Sequence, residues 1–244
     1  MLKLFILSLS IISTLGPLNV NAASYIPEPI LPESCNGIKS IPQKQINYYY
    51  HHDFKKFKEF NLKITEQNNN IGGSIFNFPQ GKKVVYRSSI LNANPKCLKE
   101  LAVNKRVETI IYLYNGNYID EKTIPDQERQ MFAKDGGQIY IDTLNFDDFM
   151  SYPAKNSEKR NLLMASIIKL IAASPGNVLI HCLGGMHRTG LIYGILQKCI
   201  QKLPLDKVID TYSKHVGYKN KKDIGTYSKY DVQTLTNYSC SLLK

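Results

Sequence analysis

Several familiar signatures are missing from this chain of 244 residues. Its cysteines and histidines are not set at metal-ligand spacings, so no zinc site is expected. No glycine loop ends in Gly-Lys-Ser/Thr, which excludes the common nucleotide-binding loop. After Gly16 nothing approaches the apolar length of a membrane span, and no internal repeat is evident. Acidic residues are scarce: 20 Asp and Glu stand against 31 Lys and Arg, a formal net charge of +11. Such a surface favours anionic ligands and speeds their encounter without naming them. Nucleic acid would suit the sign, yet neither a zinc-finger spacing nor a recognition-helix signature accompanies it, and no nucleic-acid partner is expected.

What is present is concentrated in residues 181–190, His-Cys-Leu-Gly-Gly-Met-His-Arg-Thr-Gly. Cys182 and Arg188 bracket a five-residue spacer. A strand-like run, Asn177-Val178-Leu179-Ile180, precedes it, and a helix-like run from Leu191 to Lys202 follows. A loop between a buried strand and a helix start turns its backbone N–H groups into one concavity suited to a tetrahedral oxyanion. The same partial positive charge favours the nucleophilic thiolate of a cysteine. Arg188 adds a planar fork able to grip two phosphate oxygens. The decapeptide resembles the signature loop of the cysteine-dependent protein tyrosine and dual-specificity phosphatases, His-Cys-(five residues)-Arg-Ser/Thr-Gly.

Strand and helix patterns alternate around this loop. Val84 to Tyr86, Val107 to Leu113 and Gln138 to Leu144 read as strands; Cys97 to Asn104, Glu158 to Ala173 and Asp206 to His215 read as helices. Pro175-Gly176 closes the helix before the strand that leads into Cys182. This predicts an α/β three-layer sandwich with a central, mostly parallel sheet. The order is also similar to dual-specificity-like phosphatases, through Val85-Tyr86-Arg87-Ser88 and Glu108 to Leu113. His187-Arg188-Thr189-Gly190 resembles the atypical branch that includes inositol pyrophosphate phosphatases, but the loop lacks the basic residues often found there and keeps only His187 as an added charge.

Residues 76–244 are expected to form the phosphatase domain. Residues 23–75 form an N-terminal extension packing on or covering it. That extension holds a proline-rich extended arm (Pro27, Pro29, Pro32, Pro42), a lid or edge element at 51–60 and a turn at 68–73. Adjacent His51 and His52 read as solvated surface. Residues 1–22 read as a cleavable signal peptide, with Lys3, an apolar stretch from Leu4 to Gly16 and small residues ending at Ala22. A secreted or periplasmic location follows, with no membrane span after removal. Apart from Cys182, four cysteines remain, an even number that permits two disulfides in three pairings. Cys35 with Cys97 and Cys199 with Cys240 are the expected pairs.

The resemblance implies a phosphomonoesterase working through a cysteinyl-phosphate, with no metal and no cofactor. Cys182 is the expected nucleophile. Arg188 and the backbone N–H groups of Leu183, Gly184, Gly185, Met186 and His187 would hold the phosphoryl oxygens. Asp148 is the expected general acid, with Asp147 and Asp142 as alternatives. Thr189 would support the leaving thiolate, and His181 would order the loop from behind. Arg87 could reach substrate, but reads first as a structural ion-pair residue. The expected partner is a phosphorylated protein or a small phosphorylated metabolite; oligomeric state is left open. Competing readings are an inositol-phosphate or phosphoinositide phosphatase, a non-catalytic phosphate-binding module, and sulfur transfer at a persulfide cysteine.

Overall fold

Val107 to Tyr112, rich in β-branched residues, forms a strand that is buried except at the half-buried Glu108, and the rest of the sheet is laid beside it. The computed structural model describes residues 31–35, 43–67, 69–91, 94–113, 123–142, 157–217 and 226–244. The strands are β1 (Gly72–Phe78), β2 (Gly81–Ser88), β3 (Val107–Tyr112), β4 (Ile139–Asp142) and β5 (Asn177–His181). Their order is β1-β2-β5-β3-β4. β1 and β2 are antiparallel, whereas β2–β5, β5–β3 and β3–β4 are parallel. The mostly parallel sheet expected from the strand–helix alternation is therefore present.

β5 is the central strand, and alternate side chains feed opposite faces. Val178 and Ile180 join Phe76, Val85 and Ile111 in one core cluster, while Leu179 joins Tyr86 and Ile110 in the other. On the Leu179 face lie α3 (Pro95–Asn104), through Leu98 and Leu101, and α4 (Thr123–Lys134), through Phe132. On the Val178 face lie α5 (Ser157–Ala173), α6 (His187–Cys199) and α7 (Leu205–Val216). α8 (Thr226–Asn237) packs against α6 and α7 and adds Leu235 to that cluster. Helices on both faces of one sheet make three layers.

Some boundaries differ from the sequence expectations. α6 begins at His187 rather than Leu191, because Arg188, Thr189 and Gly190 already belong to its first turn and the Gly190 N–H bonds the Met186 carbonyl. The domain boundary at 75/76 runs through β1, so the sheet takes in residues assigned to the extension. The lid or edge element at 51–60 is part of two helices, α1 (Gln43–His52) and α2 (Phe54–Gln67). Helical spacing there brings Ile46, Tyr49, Phe57 and Phe60 into one apolar cluster, an arrangement that linear alternation with charge conceals.

Both expected disulfides are formed, Cys35–Cys97 and Cys199–Cys240. The first fastens the 31–35 segment to α3, where the Ser34 hydroxyl also donates to Glu100. The second fastens the end of α6 to a terminal 3₁₀ turn (Cys240–Leu243). Residues 1–22, read above as a signal peptide, lie outside the described residues. Among the described residues, no helix is long and apolar enough to cross a membrane.

Candidate active site

In parallel α/β sheets the carboxyl ends of the strands share one edge, and ligands gather there. Cys182 follows β5, the middle strand, so it sits at the centre of that edge. It is the one cysteine outside the two disulfides and is 6% exposed. The next three carbonyls are each held from outside the loop. The Ile90 N–H donates to the Leu183 oxygen at 3.0 Å. Asn70 Nδ2 donates to the Gly184 oxygen at 2.9 Å. Arg87 Nη2 donates to the Gly185 oxygen. In a planar trans peptide the N–H opposes the preceding C=O. Drawing these three carbonyls away therefore turns the N–H groups of Gly184, Gly185 and Met186 toward the opposite side, as a concave anion nest requires.

The helix start adds to the same concavity. α6 has no side-chain cap at Met186, so its first N–H groups are left for a ligand or water. Gly185 has φ +65°, and a Cβ there would lie 2.5 Å from the Ser88 backbone. Only glycine meets both demands. Arg188 is nearly buried at the helix start, where Nη1 donates to the Leu113 carbonyl at 3.4 Å, just beyond β3. The Thr189 hydroxyl is fully buried and makes no hydrogen bond among the described residues.

Arg87 corrects one expectation. It was read as an ion-pair residue, yet no carboxylate accompanies it among the described residues; it is 1% exposed, lies over the Tyr193 ring at 5.3 Å, and supports the loop directly. Burial lowers its pKa to about 10, while the nearby Tyr193, Cys182 and Tyr212 oppose that shift. The 68–73 segment is likewise more than a turn. Asn69 and Asn70 are buried, Asn70 adopts φ 44°, and its amide also donates to the His215 carbonyl at 3.0 Å. Since that amide nitrogen is committed, Oδ1 is the acceptor, and the His215 Nδ1–H donates to it at 2.9 Å.

His181 faces away from the loop into a buried polar cluster. Its Nε2 lies 2.9 Å from Glu128 Oε2, and both side chains are fully buried. The Tyr140 hydroxyl donates to the same oxygen at 2.9 Å, and the Leu91 N–H donates to Oε1 at 3.1 Å. Burial pushes the Glu128 carboxyl up, but His181 and these hydrogen bonds outweigh it and hold the pKa below the ordinary carboxylate value. Glu128 of α4 thus clamps His181 at the end of β5.

A second polar cluster meets the loop at its other end. His187 Nδ1 lies 2.8 Å from Asp231 Oδ2 and 3.0 Å from the Tyr212 hydroxyl, which itself donates to Asp231 at 2.5 Å. Arg160 Nη2 lies 3.7 Å from Asp231 Oδ1. Met186 turns its side chain to the α1–α2 hairpin and packs with Ile46, Tyr49, Phe57 and Phe60.

The acid candidates are not brought to the loop by anything described. Asp142 ends β4, with its backbone opposite Tyr112, and its side chain lies outside the described residues. Asp147 and Asp148 lie outside them altogether. Asn70, Glu128, Tyr212, His215 and Asp231 were missed by sequence reasoning. Only Gly190 and Gly194 hinted at part of this, because Cβ atoms there would meet Tyr212 on α7 and Leu235 on α8.

The fold is mixed α/β with a mostly parallel sheet flanked by helices, and the carbonyls of its central loop are tied back from outside the loop. No protein-family model matches the chain. It is 34% identical over 67 residues to the inositol diphosphatase DSP3 of Arabidopsis thaliana, a stretch covering 27% of this chain. The chain thus spans about a third of that curated relative, 32% of its length. Among solved structures it is similar to the core catalytic domain of the PP-IP phosphatase SIW14 from S. cerevisiae, with 22% identity, a TM-score of 0.44, and coverage of 64% of this chain and 80% of that one. It is also similar to P. aeruginosa TpbA, with 16% identity, a TM-score of 0.43, and coverage of 65% and 83%.

Proposed function

We propose that the protein is a phosphatase that hydrolyses phosphomonoesters through a cysteinyl-phosphate, acting on phosphotyrosine or other phosphorylated protein side chains. One observation carries this reading: three successive loop carbonyls, from Leu183 to Gly185, are tied back so that the following N–H groups face the anion side beside Cys182. Those N–H groups and the Arg188 guanidinium bind the equatorial oxygens and hold phosphorus in line with the Cys182 sulfur. Sulfur attacks phosphorus and the ester P–O bond breaks. Asp148 supplies the proton to the departing oxygen, then accepts one from the water that cleaves the S–P bond and returns the thiolate. Thr189 stabilises that thiolate.

A second reading, an inositol-phosphate phosphatase, is favoured by the 34% identity to an inositol diphosphatase. Export is part of the proposal as well. It is supported by the signal-like residues 1–22 and by two disulfides of the kind that persist in oxidising compartments.

The test is steady-state hydrolysis of an aryl phosphate by the reduced protein, with Cys182→Ser and Asp148→Asn alongside. Turnover abolished by the first change and strongly reduced by the second is the expected result. Comparison of a phosphotyrosyl peptide with inositol hexakisphosphate and a diphosphoinositol ranks the two substrate readings. A folded, reduced protein that binds inorganic phosphate without turnover overturns the enzyme in favour of a binding module. One that turns over persulfide substrates alone points to sulfur transfer.

A further inference from the structure

The three ties on the loop after Cys182 are of different kinds. Leu183 is held by a backbone N–H, Gly185 by a guanidinium, and Gly184 by the neutral side chain of Asn70, 114 residues earlier in the chain. Asn70 is 1% exposed and stands just before β1. Its amide nitrogen donates to two carbonyls, that of Gly184 at 2.9 Å and that of His215, in the last turn of α7, at 3.0 Å. Carbonyl oxygens only accept, so the amide must turn its nitrogen toward both of them and its oxygen away. On that other side the Nδ1–H of His215 donates to Oδ1 at 2.9 Å, a bond that a charged ring and a neutral Nδ1–H ring make equally well. The amide is thus held in one orientation from three directions.

The backbone is shaped for the same purpose. Asn70 has φ 44°, a left-handed conformation that asparagine tolerates better than most residues. The Ser89 N–H, just beyond β2, donates to the Asn69 carbonyl at 2.8 Å and fixes the peptide that joins Asn69 to Asn70. Gly72 leaves room for the imidazole beside them, since a Cβ there would lie 3.0 Å from His215 Cε1.

Resting on the phosphatase reading above, we propose that Asn70 is a positioning residue of the phosphate site, acting through the Gly184–Gly185 peptide to aim the Gly185 N–H at the bound anion. In a planar trans peptide that N–H points opposite to the Gly184 carbonyl, so the tie on the carbonyl sets the direction of the donor. The peptide lies between two glycines and has no Cβ on either side to resist rotation, so an outside tie has to hold it. A donor held in advance binds the anion without reorganising.

The test uses the full chain with Asn70→Gly and Asn70→Asp. Glycine adopts the left-handed backbone and lacks only the amide, whereas aspartate keeps the shape and turns acceptors toward the two carbonyls. Each protein is titrated with inorganic phosphate while the amide ¹H and ¹⁵N shifts of Gly184, Gly185 and Met186 are followed. All three should respond in the wild type. In both variants the Gly185 response should be lost, while Gly184, behind the Ile90 tie, and Met186, behind the Arg87 tie, still respond. Phosphate affinity should fall about tenfold in Asn70→Gly and further in Asn70→Asp, with aryl phosphate kcat/KM falling in the same order. A Gly185 response in Asn70→Gly equal to that of the wild type overturns the proposal. So do responses weakened equally at all three amides, which mark a general loosening of the fold, and a wild type in which Gly185 does not respond. If Asn70→Asp does not fold, Asn70→Gly decides by itself. A wild type that binds phosphate and hydrolyses nothing refutes the phosphatase reading alone, because amide responses and affinity are read without turnover.

Discussion

The guanidinium of Arg87 reaches from β2 to the carbonyl oxygen of Gly185, so a buried cation with no carboxylate partner among the described residues sets the orientation of the peptide ahead of Met186. Lysine at this position would keep the charge but lose the planar fork that lets one nitrogen bond while the plane lies over Tyr193. Arg87→Lys is expected to lower kcat/KM for an aryl phosphate about a hundredfold through the misplaced N–H. Initial rates, compared with phosphate affinity, check this.

Gly185→Ala should be more damaging than its size suggests. Its φ of +65° is strained for alanine, and the added Cβ meets the Ser88 backbone, which has no flexible end to move. A loss of about 1–3 kcal/mol is expected from the backbone conformation alone. Denaturant unfolding measures it, and phosphate binding should weaken in step.

The strands and the strand–loop–helix turn around Cys182 were legible because both depend on neighbours in sequence. The run before Cys182 is apolar without alternation, as a doubly covered strand requires, and the loop's glycines stand in the same decapeptide. What surrounds the loop was not legible. Asn70, Glu128, His215 and Asp231 come from three helices and the segment before β1, and each looks like an ordinary surface polar residue until folding buries it. Gly190 shows the limit from the other side: it suggested a loop ending, whereas it sits in a helix to let the Tyr212 ring approach.

Acid should destabilise the fold through His215. Burial first, and then Arg87 and Lys214, hold its pKa well below the ordinary 6.5. The unfolded chain therefore takes up a proton near pH 6.5 while the folded one does not. Stability contributed by neutral His215 is present above that pH and declines as pH falls toward the folded pKa, at up to about 1.4 kcal/mol per pH unit. Melting curves between pH 7.5 and 5 should show this slope, and His215→Gln should flatten it.

Glu128 contributes at a lower pH. Its folded pKa is held below the ordinary carboxylate value, so its contribution is present above that value and is lost as pH falls through the folded pKa. Glu128→Ala removes the partner of His181, Tyr140 and the Leu91 N–H together. A destabilisation of about 3–5 kcal/mol is expected in urea unfolding.

The helical hairpin is held by its apolar cluster. Phe57→Ala removes one of its two buried members, and Met186 is the loop's contribution to the same cluster. Trypsin should then cleave faster after the exposed Lys55, Lys56 and Lys63, while the main unfolding transition moves little. Peptide mapping of timed digests checks the site and the rate.

The two bridges and the lone thiol place opposite demands on the medium. Cys35–Cys97 and Cys199–Cys240 exist in the oxidised state, whereas attack on phosphorus calls for Cys182 to be reduced. No single ambient potential serves both at equilibrium unless the couples differ widely. For the first bridge the fold separates them by burial instead: Cys35 and Cys97 are at most 1% exposed, whereas Cys182, 6% exposed, begins the loop between β5 and α6, and the half-buried Cys240 leaves the second bridge partly open. A small reductant fitting the anion cradle would restore the thiol while the buried Cys35–Cys97 bridge lags behind. Clasped and active at once, the protein would occupy a state maintained by access rather than by potential.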